Sequence, residues 1–271
     1  SSDLEVTVLE IMATVLPGWD LQVARTLPRY LKQIGMKINT STEVTGVSVS
    51  DDRATVSTAD SNDAETTFEA DRVLVAVGRR PVLQEDLEEL GVGLAEGRVE
   101  VSDRFETSLP GVYAIGDITK GPMLAHRAEE DAVACVEGIA GMPTHLDYSL
   151  VPNVVYTHPE AASVGATEEE LKAQGVEYAK GTFQFRANGR ALAAADADGF
   201  VKLLTDPDTD RILGAHIVGP SASALIAEVV SVMSLGGGAE DIARVVHAHP
   251  TLPEAVKEAG LAALGRSIHG G

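Results

Sequence analysis

Cysteine is nearly absent from this sequence, and its scarcity limits the redox chemistry that the chain can perform by itself. Cys135 is the single cysteine among 271 residues. One thiol can form neither an internal disulfide nor a dithiol redox pair. It falls in residues 126–140, where apolar residues have helical spacing, so we expect it in a core. A chain without internal disulfides suits a reducing compartment, and the sequence therefore predicts a cytoplasmic location.

Long apolar runs are absent as well. No stretch approaches the roughly 18 consecutive apolar residues that a membrane helix needs, so the sequence predicts no membrane association. The first residues, Ser1-Ser2-Asp3, are not a basic region leading into an apolar signal sequence. Strand-like Val6–Leu9 follows almost at once, and we therefore expect the chain to begin inside a structural unit.

Basic residues are few. Lys and Arg number 21 against 41 Asp and Glu, which gives a formal charge of −20, and only seven of the basic residues are Lys. Nucleic-acid binders are usually basic, so this balance argues against a nucleic-acid partner. Two interpretations of the charge stay open: solubility through self-repulsion, or adaptation to high salt, which screens such a surface.

Two motifs of redox enzymes are also absent. No Cys-x4-Cys occurs, and no G-x-G-x-x-G occurs. Gly91-x-Gly93 with Gly97 has the wrong spacing for that fingerprint and does not lie in a strand-to-helix turn. The chain alone is therefore predicted to lack both a redox dithiol and a phosphate-cradling glycine loop.

The first part of the chain alternates between strand-like and helical patterns. Apolar residues recur at helical spacing through Asp20–Ile34, and Gly35 follows as a stop signal. The strand-like segments are Val6–Glu10, Met36–Ile38, Val44–Val49, Ala54–Ser57 and Arg72–Val77. A β-α-β opening of this kind suggests a nucleotide-binding type of α/β unit.

Two breaks divide the remainder, at Gly78-Arg79-Arg80-Pro81 and at Gly141-Met142-Pro143. Between them, Gly111–Asp117 reads as a strand ending in a turn, and His126–Ala140 reads as a helix. Strands and helices mix after residue 143, which predicts an α+β region. Its predicted strands are Val154–Tyr156, Gly181–Phe185, Phe200–Leu204 and Ile212–Ile217, and its predicted helices are Ser221–Leu235 and Pro253–Leu264.

The strongest local motif is the run from His247 to Glu254. Pro250 favours an extended backbone at His249, and Thr251-x-x-Glu254 has the form of a capping box that opens a helix. From the residues alone, three interpretations remain: Glu254 is a helix cap, His249 and Glu254 form an acid/base pair, or His247 and His249 hold a metal. No further His or Cys lies nearby to complete a metal site.

Two shorter motifs could bind a cofactor. Gly116 and Asp117 follow a strand; glycine lets the backbone approach a ligand, and a carboxylate accepts hydrogen bonds from sugar hydroxyls. Glu10 ends the first strand, where an acidic residue can bind a ribose. The ordinary alternatives are a Gly-Asp turn and a surface Glu.

Several of these segments together resemble the dihydrolipoamide dehydrogenase family of flavin- and NAD-dependent disulfide oxidoreductases. His249-Pro250-Thr251-Leu252-x-Glu254 is similar to the family's signature. In that family the second His of His-x-His-Pro is the general base and the Glu orients it, which implies these roles for His249 and Glu254. Pro253 stands where many members carry Ser or His, a departure that touches neither residue.

The later segments extend the resemblance. The segments similar to the family's interface domain are Val151–Glu160, Ser163–Gly165, Phe185–Ala191, Gly199–Lys202 and Ile212–Pro220. In the family this domain makes a symmetric contact, which implies a homodimer. The resemblance covers essentially the whole chain, as the C-terminal three-fifths of a typical member.

The resemblance also implies FAD and NAD as cofactors and assigns residues to each, with no metal. The residues implied at the FAD site are Gly116, Asp117, Met123, Leu124, Ala125 and His126. Those implied at the NAD site are Glu10, Val44 and Gly78.

The implied architecture is α/β plus α+β: the C-terminal parts of NAD- and FAD-binding nucleotide domains, followed by an α+β dimerisation domain. The expected boundaries are 1–78, 79–143 and 144–271. The implied activity of the full-length enzyme is oxidation of protein-bound dihydrolipoamide with NAD as acceptor, with lipoyl domains of 2-oxo acid dehydrogenase or glycine cleavage complexes as partners. A glutathione, mercuric or transhydrogenase-type reductase, and a non-catalytic dimerisation module, are the alternatives.

Overall fold

The computed structural model describes residues 4–269, which form two compact units. One unit combines residues 4–73 with 149–269, and the other comprises 74–148. Among the described residues, no helix is both long enough and apolar enough to cross a membrane.

The first segment of the larger unit carries a parallel strand pair, a helix and a three-stranded antiparallel sheet. Its elements are β1 (Thr7–Leu9), α1 (Leu21–Gln33), β2 (Lys37–Asn39), β3 (Thr42–Ser50), β4 (Arg53–Asp60) and β5 (Glu65–Ala70). β1 pairs with β2, and the sheet has the order β3-β4-β5. The predicted β-α-β opening is therefore present, with β1 half-buried to exposed.

The second segment of this unit is built around a five-stranded antiparallel sheet with the order β10-β11-β12-β9-β8. The strands are β8 (Asn153–Val155), β9 (Glu160–Gly165), β10 (Ala179–Gln184), β11 (Phe200–Thr205) and β12 (Ile212–Gly219). The helices are α3 (Glu168–Gln174), α4 (Gly189–Ala193), α5 (Ala222–Ser234), α6 (Ala239–Arg244) and α7 (Glu254–Ala263).

The core of this segment lies between the sheet and helices α5 and α7. It joins side chains such as Phe185, Leu203 and Ile217 to Ile226 and Val256. α7 crosses β10 at Gly181, where any Cβ would overlap the helix backbone at Ala259 and Ala263. Glycine at this position therefore allows helix and strand to touch, and α7 brings Glu254 to its place at the helix start.

A buried charged cluster attaches α1 to the five-stranded sheet. The Lys202 ammonium on β11 donates to Asp20 at 2.7 Å and to Glu168 at 2.5 Å. Asp20 is the N-cap of α1, where its other oxygen accepts from the Gln22 N–H. His216 on β12 is buried beside Asp20, and its Nε2 is 3.1 Å from the Ala166 carbonyl oxygen. Pairing is what makes burial of these charges tolerable.

The smaller unit contains a short hairpin and one long helix: β6 (Leu94–Ala95), β7 (Arg98–Val99) and α2 (Ala125–Ile139). Cys135 is buried on α2 against Phe105 and Ala134, as the sequence predicts. A one-turn 3₁₀ helix, Gly116–Ile118, precedes α2.

Two strand predictions are wrong. Arg72–Val77 is not a strand, and Val73 to Val77 are exposed. Val112–Ile115 has only one isolated bridge, from Tyr113 to Glu106. A strand needs a neighbour that satisfies its backbone groups along its length. Within residues 4–269, Arg72–Val77 has no such neighbour, and Val112–Ile115 makes backbone hydrogen bonds to residues 105–107 only at Val112 and Ala114.

Candidate functional site

His249 and Glu254 are in direct contact. His249 lies in the loop between α6 and α7, and its Nδ1 is 2.8 Å from Glu254 Oε1. An ionised carboxylate only accepts hydrogen bonds, so Nδ1 donates to it, and in the neutral imidazole the free electron pair is then on Nε2. The imidazole is 78% exposed and the Glu254 side chain 24%. Among residues 4–269, Nε2 has no hydrogen-bond partner, so it can receive a proton from outside the chain.

Glu254 serves the helix and the imidazole at the same time. Its Oε2 accepts from the Thr251 N–H at 2.7 Å, which is one half of a capping box. The Thr251 hydroxyl donates to the Ala248 carbonyl, and within residues 4–269 it accepts no hydrogen bond from the N–H groups of the helix start. Burial raises the pKa of Glu254, but the hydrogen bonds from Thr251 and His249 outweigh it and hold that pKa below its usual range. Two of the three interpretations, cap and acid/base pair, are thus compatible.

A second carboxylate–imidazole pair anchors the same loop. His247 Nε2 is 2.8 Å from Glu228 Oε1 on α5, and its Nδ1 is 3.0 Å from the Val245 carbonyl oxygen. The His247 side chain is only 6% exposed. Within the described part of the chain, no group of three His, Cys, Asp or Glu residues could hold a metal ion. The structure therefore gives the His-x-His metal interpretation no support.

Gly116 and Asp117 have geometry suited to a closely approaching ligand. Gly116 has a φ of 70°, and a Cβ there would lie 3.1 Å from the Ala128 Cβ. The half-buried Asp117 carboxylate accepts from the exposed Arg79 guanidinium at 3.0 Å. A backbone free of side-chain bulk beside an accessible carboxylate fits the polyhydroxyl chain of a flavin nucleotide.

The start of α2 follows this turn closely. Met123 and Leu124 precede the helix, and Ala125 and His126 open it. In the described chain no side chain caps the helix start, and its first turn holds no acidic residue. The positive end of the helix dipole therefore stays available to an electron-rich ring edge, as the expected flavin requires.

The three residues expected at the NAD site are in different local settings. Glu10 directly follows β1, and its carboxylate accepts from the Met12 N–H. Val44 is exposed on β3, two residues after Thr42, whose N–H donates to the Glu10 carbonyl. Gly78 has a φ of 114° and falls in the smaller unit. The structure thus puts Glu10 near the start of the strand that carries Val44.

Several buried charged residues that hold these sites in place were not predicted from the sequence. Arg127 and Asp131, four residues apart on α2, form a buried ion pair beside Gly116. Their spacing on one helix face was a usable signal. Lys202 within the otherwise apolar Phe200–Leu204 strand was another, because a buried Lys requires carboxylate partners. The pairing of His247 with Glu228 left no such signal, since 19 residues separate them.

Comparison with known proteins gives two family matches. Residues 151–260 match the pyridine nucleotide-disulphide oxidoreductase dimerisation domain, and residues 1–132 match the pyridine nucleotide-disulphide oxidoreductase model. Among curated proteins, the chain is 51% identical over 269 residues to dihydrolipoyl dehydrogenase 2, mitochondrial, of Arabidopsis thaliana. It is 47% identical over 272 residues to dihydrolipoyl dehydrogenase, mitochondrial, of Homo sapiens.

These alignments cover 98% of this chain but 53% of each relative, so the chain spans about half the length of the curated relatives it matches. Two solved structures are similar in fold at 25% identity. LpdA of Mycobacterium tuberculosis aligns with a TM-score of 0.87 over 95% of this chain and 56% of its own. The HOCl-induced flavoprotein disulfide reductase RclA of Escherichia coli aligns with a TM-score of 0.84 over 93% and 58%.

The resemblance and the mixed fold class inferred from the sequence are both confirmed, and the family uses FAD and NAD. Two adjoining family matches, about half identity over nearly the whole chain and a shared fold agree: the chain belongs to the pyridine nucleotide-disulphide oxidoreductase family, with dihydrolipoyl dehydrogenases among its relatives.

Proposed function

We propose that this chain forms the base-bearing part of a dihydrolipoyl dehydrogenase, which oxidises protein-bound dihydrolipoamide with NAD as acceptor. The observation that carries the proposal is the 2.8 Å contact between His249 Nδ1 and Glu254, with Nε2 unpartnered among the described residues. A dithiol must lose a proton before its thiolate attacks a disulfide. His249 Nε2 is the group that takes this proton.

Glu254 acts on His249 in two ways. It fixes the tautomer by accepting the Nδ1 hydrogen, and its negative charge stabilises the imidazolium that forms when Nε2 takes the proton. The lowered pKa of Glu254 keeps this carboxylate ionised at neutral pH. Bound FAD supplies the electron transfer between a disulfide and the nicotinamide. Asp117 would hold its ribityl chain, and Met123 to His126 would face its ring.

The domain assignment and assembly are parts of the same proposal. Residues 1–78 would complete an NAD-binding domain with Glu10, Val44 and Gly78 at the site, and 79–143 would return to an FAD-binding domain. Residues 144–271 would form a homodimer, which the match to a dimerisation domain supports. Sedimentation of the folded chain at micromolar concentration tests this assembly, and a strictly monomeric species contradicts it.

The deciding experiment is substitution in a full-length enzyme that carries a dithiol. We expect His249→Gln to lower dihydrolipoamide turnover by about 10²- to 10⁴-fold, the usual worth of a general base. Flavin content and the thermal midpoint should change little. We expect Glu254→Gln to act in the same direction with a smaller effect, because Gln still accepts one hydrogen bond.

Two results would change the assignment. Near-normal turnover in His249→Gln would remove it as the base. Unchanged turnover in Glu254→Gln would reduce Glu254 to a helix cap, since Gln also serves in a capping box.

Two alternative functions remain: a disulfide reductase with a different substrate, and a dimerisation module that has no substrate. Turnover of the full-length enzyme with dihydrolipoamide, glutathione disulfide and mercuric ion separates the lipoamide branch from other disulfide reductases. A purely dimerising role is favoured for this chain alone, because Cys135 is its only thiol. Reduction of NAD by dihydrolipoamide on the isolated chain would overturn that expectation.

Partners and location complete the proposal. We propose lipoyl domains of 2-oxo acid dehydrogenase or glycine cleavage complexes as the physiological partners, with turnover on isolated lipoyl domains as the test. A cytoplasmic location rests on cysteine usage alone. The relatives from Arabidopsis and human are named as mitochondrial, so cell fractionation should decide between the two compartments.

A further inference from the structure

Two arginines hold the backbone of the turn that carries Asp117. The first, Arg127 on α2, donates from one terminal nitrogen to the Gly116 carbonyl at 3.0 Å. Its other terminal nitrogen donates to the Lys120 carbonyl and to the Thr119 hydroxyl, both at 2.9 Å. One guanidinium therefore spans the turn from its first residue to its last.

The second arginine, Arg98 on β7, holds the middle of the same turn. A single terminal nitrogen donates to the Asp117 carbonyl at 3.0 Å and to the Thr119 carbonyl at 2.8 Å. Together the two side chains bind four of the five carbonyls between residues 116 and 120. We call Arg98 and Arg127 together the clamp. The Asp117 carboxylate takes no part in the clamp and pairs instead with exposed Arg79.

The clamp is built into the interior of the smaller unit. Arg127 is 2% exposed and Asp131 is fully buried, and the Arg127 Nε lies 3.0 Å from Asp131 Oδ2. That same oxygen accepts from the Gly116 N–H, and the other accepts from the Tyr148 hydroxyl at 2.7 Å. The Tyr148 ring lies 5.1 Å from the guanidinium carbon. Both backbone polar groups of Gly116 are thus held by side chains of α2.

Arg127 does more than neutralise the buried charge of Asp131. Asp131 alone would balance Arg127, yet the guanidinium also makes three hydrogen bonds to the turn. A planar guanidinium presents several donors in fixed directions, whereas an ammonium is a point charge that cannot span such a set. The turn is therefore shaped by its arginines without any ligand.

We propose that Arg127 and Arg98 are positioning residues that preform the Gly116–Lys120 turn, so that the Asp117 carboxylate meets the ribityl hydroxyls of FAD already in its binding orientation. The inference rests on the proposed cofactor site at Asp117. A preformed turn gives up little conformational freedom when FAD binds, so the clamp should act on how long flavin is retained.

The test compares Arg127→Lys and Arg98→Lys with Arg104→Lys, an exposed arginine of the same unit whose side chain is in no hydrogen bond of the described structure. The first measurement needs no cofactor. Amide hydrogen exchange at Gly116 and Thr119 in this chain should speed up by at least about tenfold in both clamp variants, as for loss of a hydrogen bond to a charged group. Arg104→Lys should leave exchange unchanged.

The second measurement is the release rate of FAD from the full-length enzyme, followed by flavin fluorescence. We expect both clamp variants to release flavin at least about tenfold faster than the Arg104→Lys control. If Arg127→Lys does not fold, Arg98→Lys carries both tests, because Arg98 lies outside the buried ion pair.

The outcomes separate the two proposals. A full-length wild-type enzyme that binds no FAD refutes the cofactor site. Faster amide hydrogen exchange in the clamp variants would then show that the arginines stabilise only the fold, which refutes the positioning role. A wild-type enzyme that binds FAD, with variants of normal exchange and normal release, refutes the positioning role and leaves the cofactor site standing.

Discussion

Both ring nitrogens of His247 face hydrogen-bond acceptors, which fixes the position of one ring hydrogen. The Val245 carbonyl can only accept, so Nδ1 must donate to it. The 2.8 Å contact between Nε2 and Glu228 needs one further hydrogen, which either group can carry. We therefore infer that His247 carries a hydrogen on Nδ1.

The first prediction concerns this ring hydrogen. Nitrogen NMR of the chain should report a hydrogen on Nδ1 of His247. Glu228→Gln should keep that hydrogen on Nδ1, because a Gln amide can donate to Nε2. Exposed His158, whose nearest carboxylate is Asp196 at 3.7 Å, is the reference. An Nδ1 without a hydrogen in wild-type His247 would contradict the inference.

The second prediction separates backbone strain from crowding at Gly116. Gly116 and Gly111 have similar positive φ values, 70° and 78°, but only Gly116 has a neighbour within reach of a Cβ, at Ala128. Alanine at either site should cost about 1–3 kcal/mol for the left-handed backbone. We expect Gly116→Ala to lower the thermal midpoint further than Gly111→Ala. Equal losses would show that Ala128 moves aside freely.

Individual residues of the site were predictable to different degrees. His249 and Glu254 are five residues apart, so a local motif contains both, and the structure joins them at 2.8 Å. Arg98 contacts the Asp117 turn from 19 residues away along the chain. A contact of that kind depends on how β7 folds back, which no local pattern encodes.

At the scale of secondary-structure elements, the buried cluster of α1, α3 and β11 should set the acid sensitivity of the larger unit. Burial raises the pKa of Glu168, but hydrogen bonds from Lys172, Lys202 and Tyr178 outweigh it and hold that pKa far below its usual range. The pKa of Asp20 is lowered in the same way: burial raises it, but the interactions with His216 and Lys202 lower it by more. Both carboxylates therefore stabilise the fold in their ionised form.

The third prediction follows from the sign of these shifts. A carboxylate with a depressed folded pKa stabilises the protein above its unfolded pKa of about 4, and this stability is lost as pH falls below that value. Burial also lowers the pKa of His216, so acid must force a charge into the core, beginning below about pH 6.5. We expect the thermal midpoint to fall from about pH 6.5 as His216 takes up a proton, and to fall further below about pH 4 as the two carboxylates do, measured by circular dichroism.

Lys202→Met is the matching variant. At pH 7 it leaves the buried Asp20 carboxylate without its ammonium partner, while Glu168 keeps Lys172 and Lys180, and this loss should cost about 3–5 kcal/mol. Protonation of Asp20 removes the unpaired charge, so the deficit of the variant relative to wild type should shrink as pH falls. Lys32→Met, at an exposed position on α1, is the control. A deficit that stays constant with pH would refute the role of the cluster.

Secondary structure was predictable where a segment's own pattern sufficed. α1 and α2 begin and end within one or two residues of their apolar periodicity. β9, which lines the core with Ala162 and Val164, was not predicted as a strand, because small residues give a weak alternating pattern. The strand prediction for Arg72–Val77 was wrong for the opposite reason. An apolar run suggests a strand, but a strand also requires a partner strand elsewhere in the fold.

At the scale of the whole molecule, a net charge of −20 on 271 residues makes the folded state repel itself. The fourth prediction is that NaCl raises the thermal midpoint at pH 7, since the Debye length falls from roughly 30 Å at 0.01 M to 3 Å at 1 M. Each kcal/mol gained should shift the midpoint by about 2–4 °C for a protein of this size.

The control for this prediction is pH. Near the isoelectric point of about 4.6 the net charge vanishes, so the same salt series should have little effect there. A midpoint that falls with salt at pH 7 would mean that attractive ion pairs outweigh the repulsion, and it would remove the physical basis for the high-salt interpretation.

Glu254 has one carboxyl group and two attachments, the His249 ring and the Thr251 amide at the start of α7. Because both oxygens belong to one rigid carboxylate group, the orientation of the His249 ring depends on the first turn of α7. If the start of α7 unwinds, Glu254 moves with it, and the hydrogen bond that orients His249 is lost. Hydrogen exchange at the Thr251 amide therefore reports on the orientation of the imidazole.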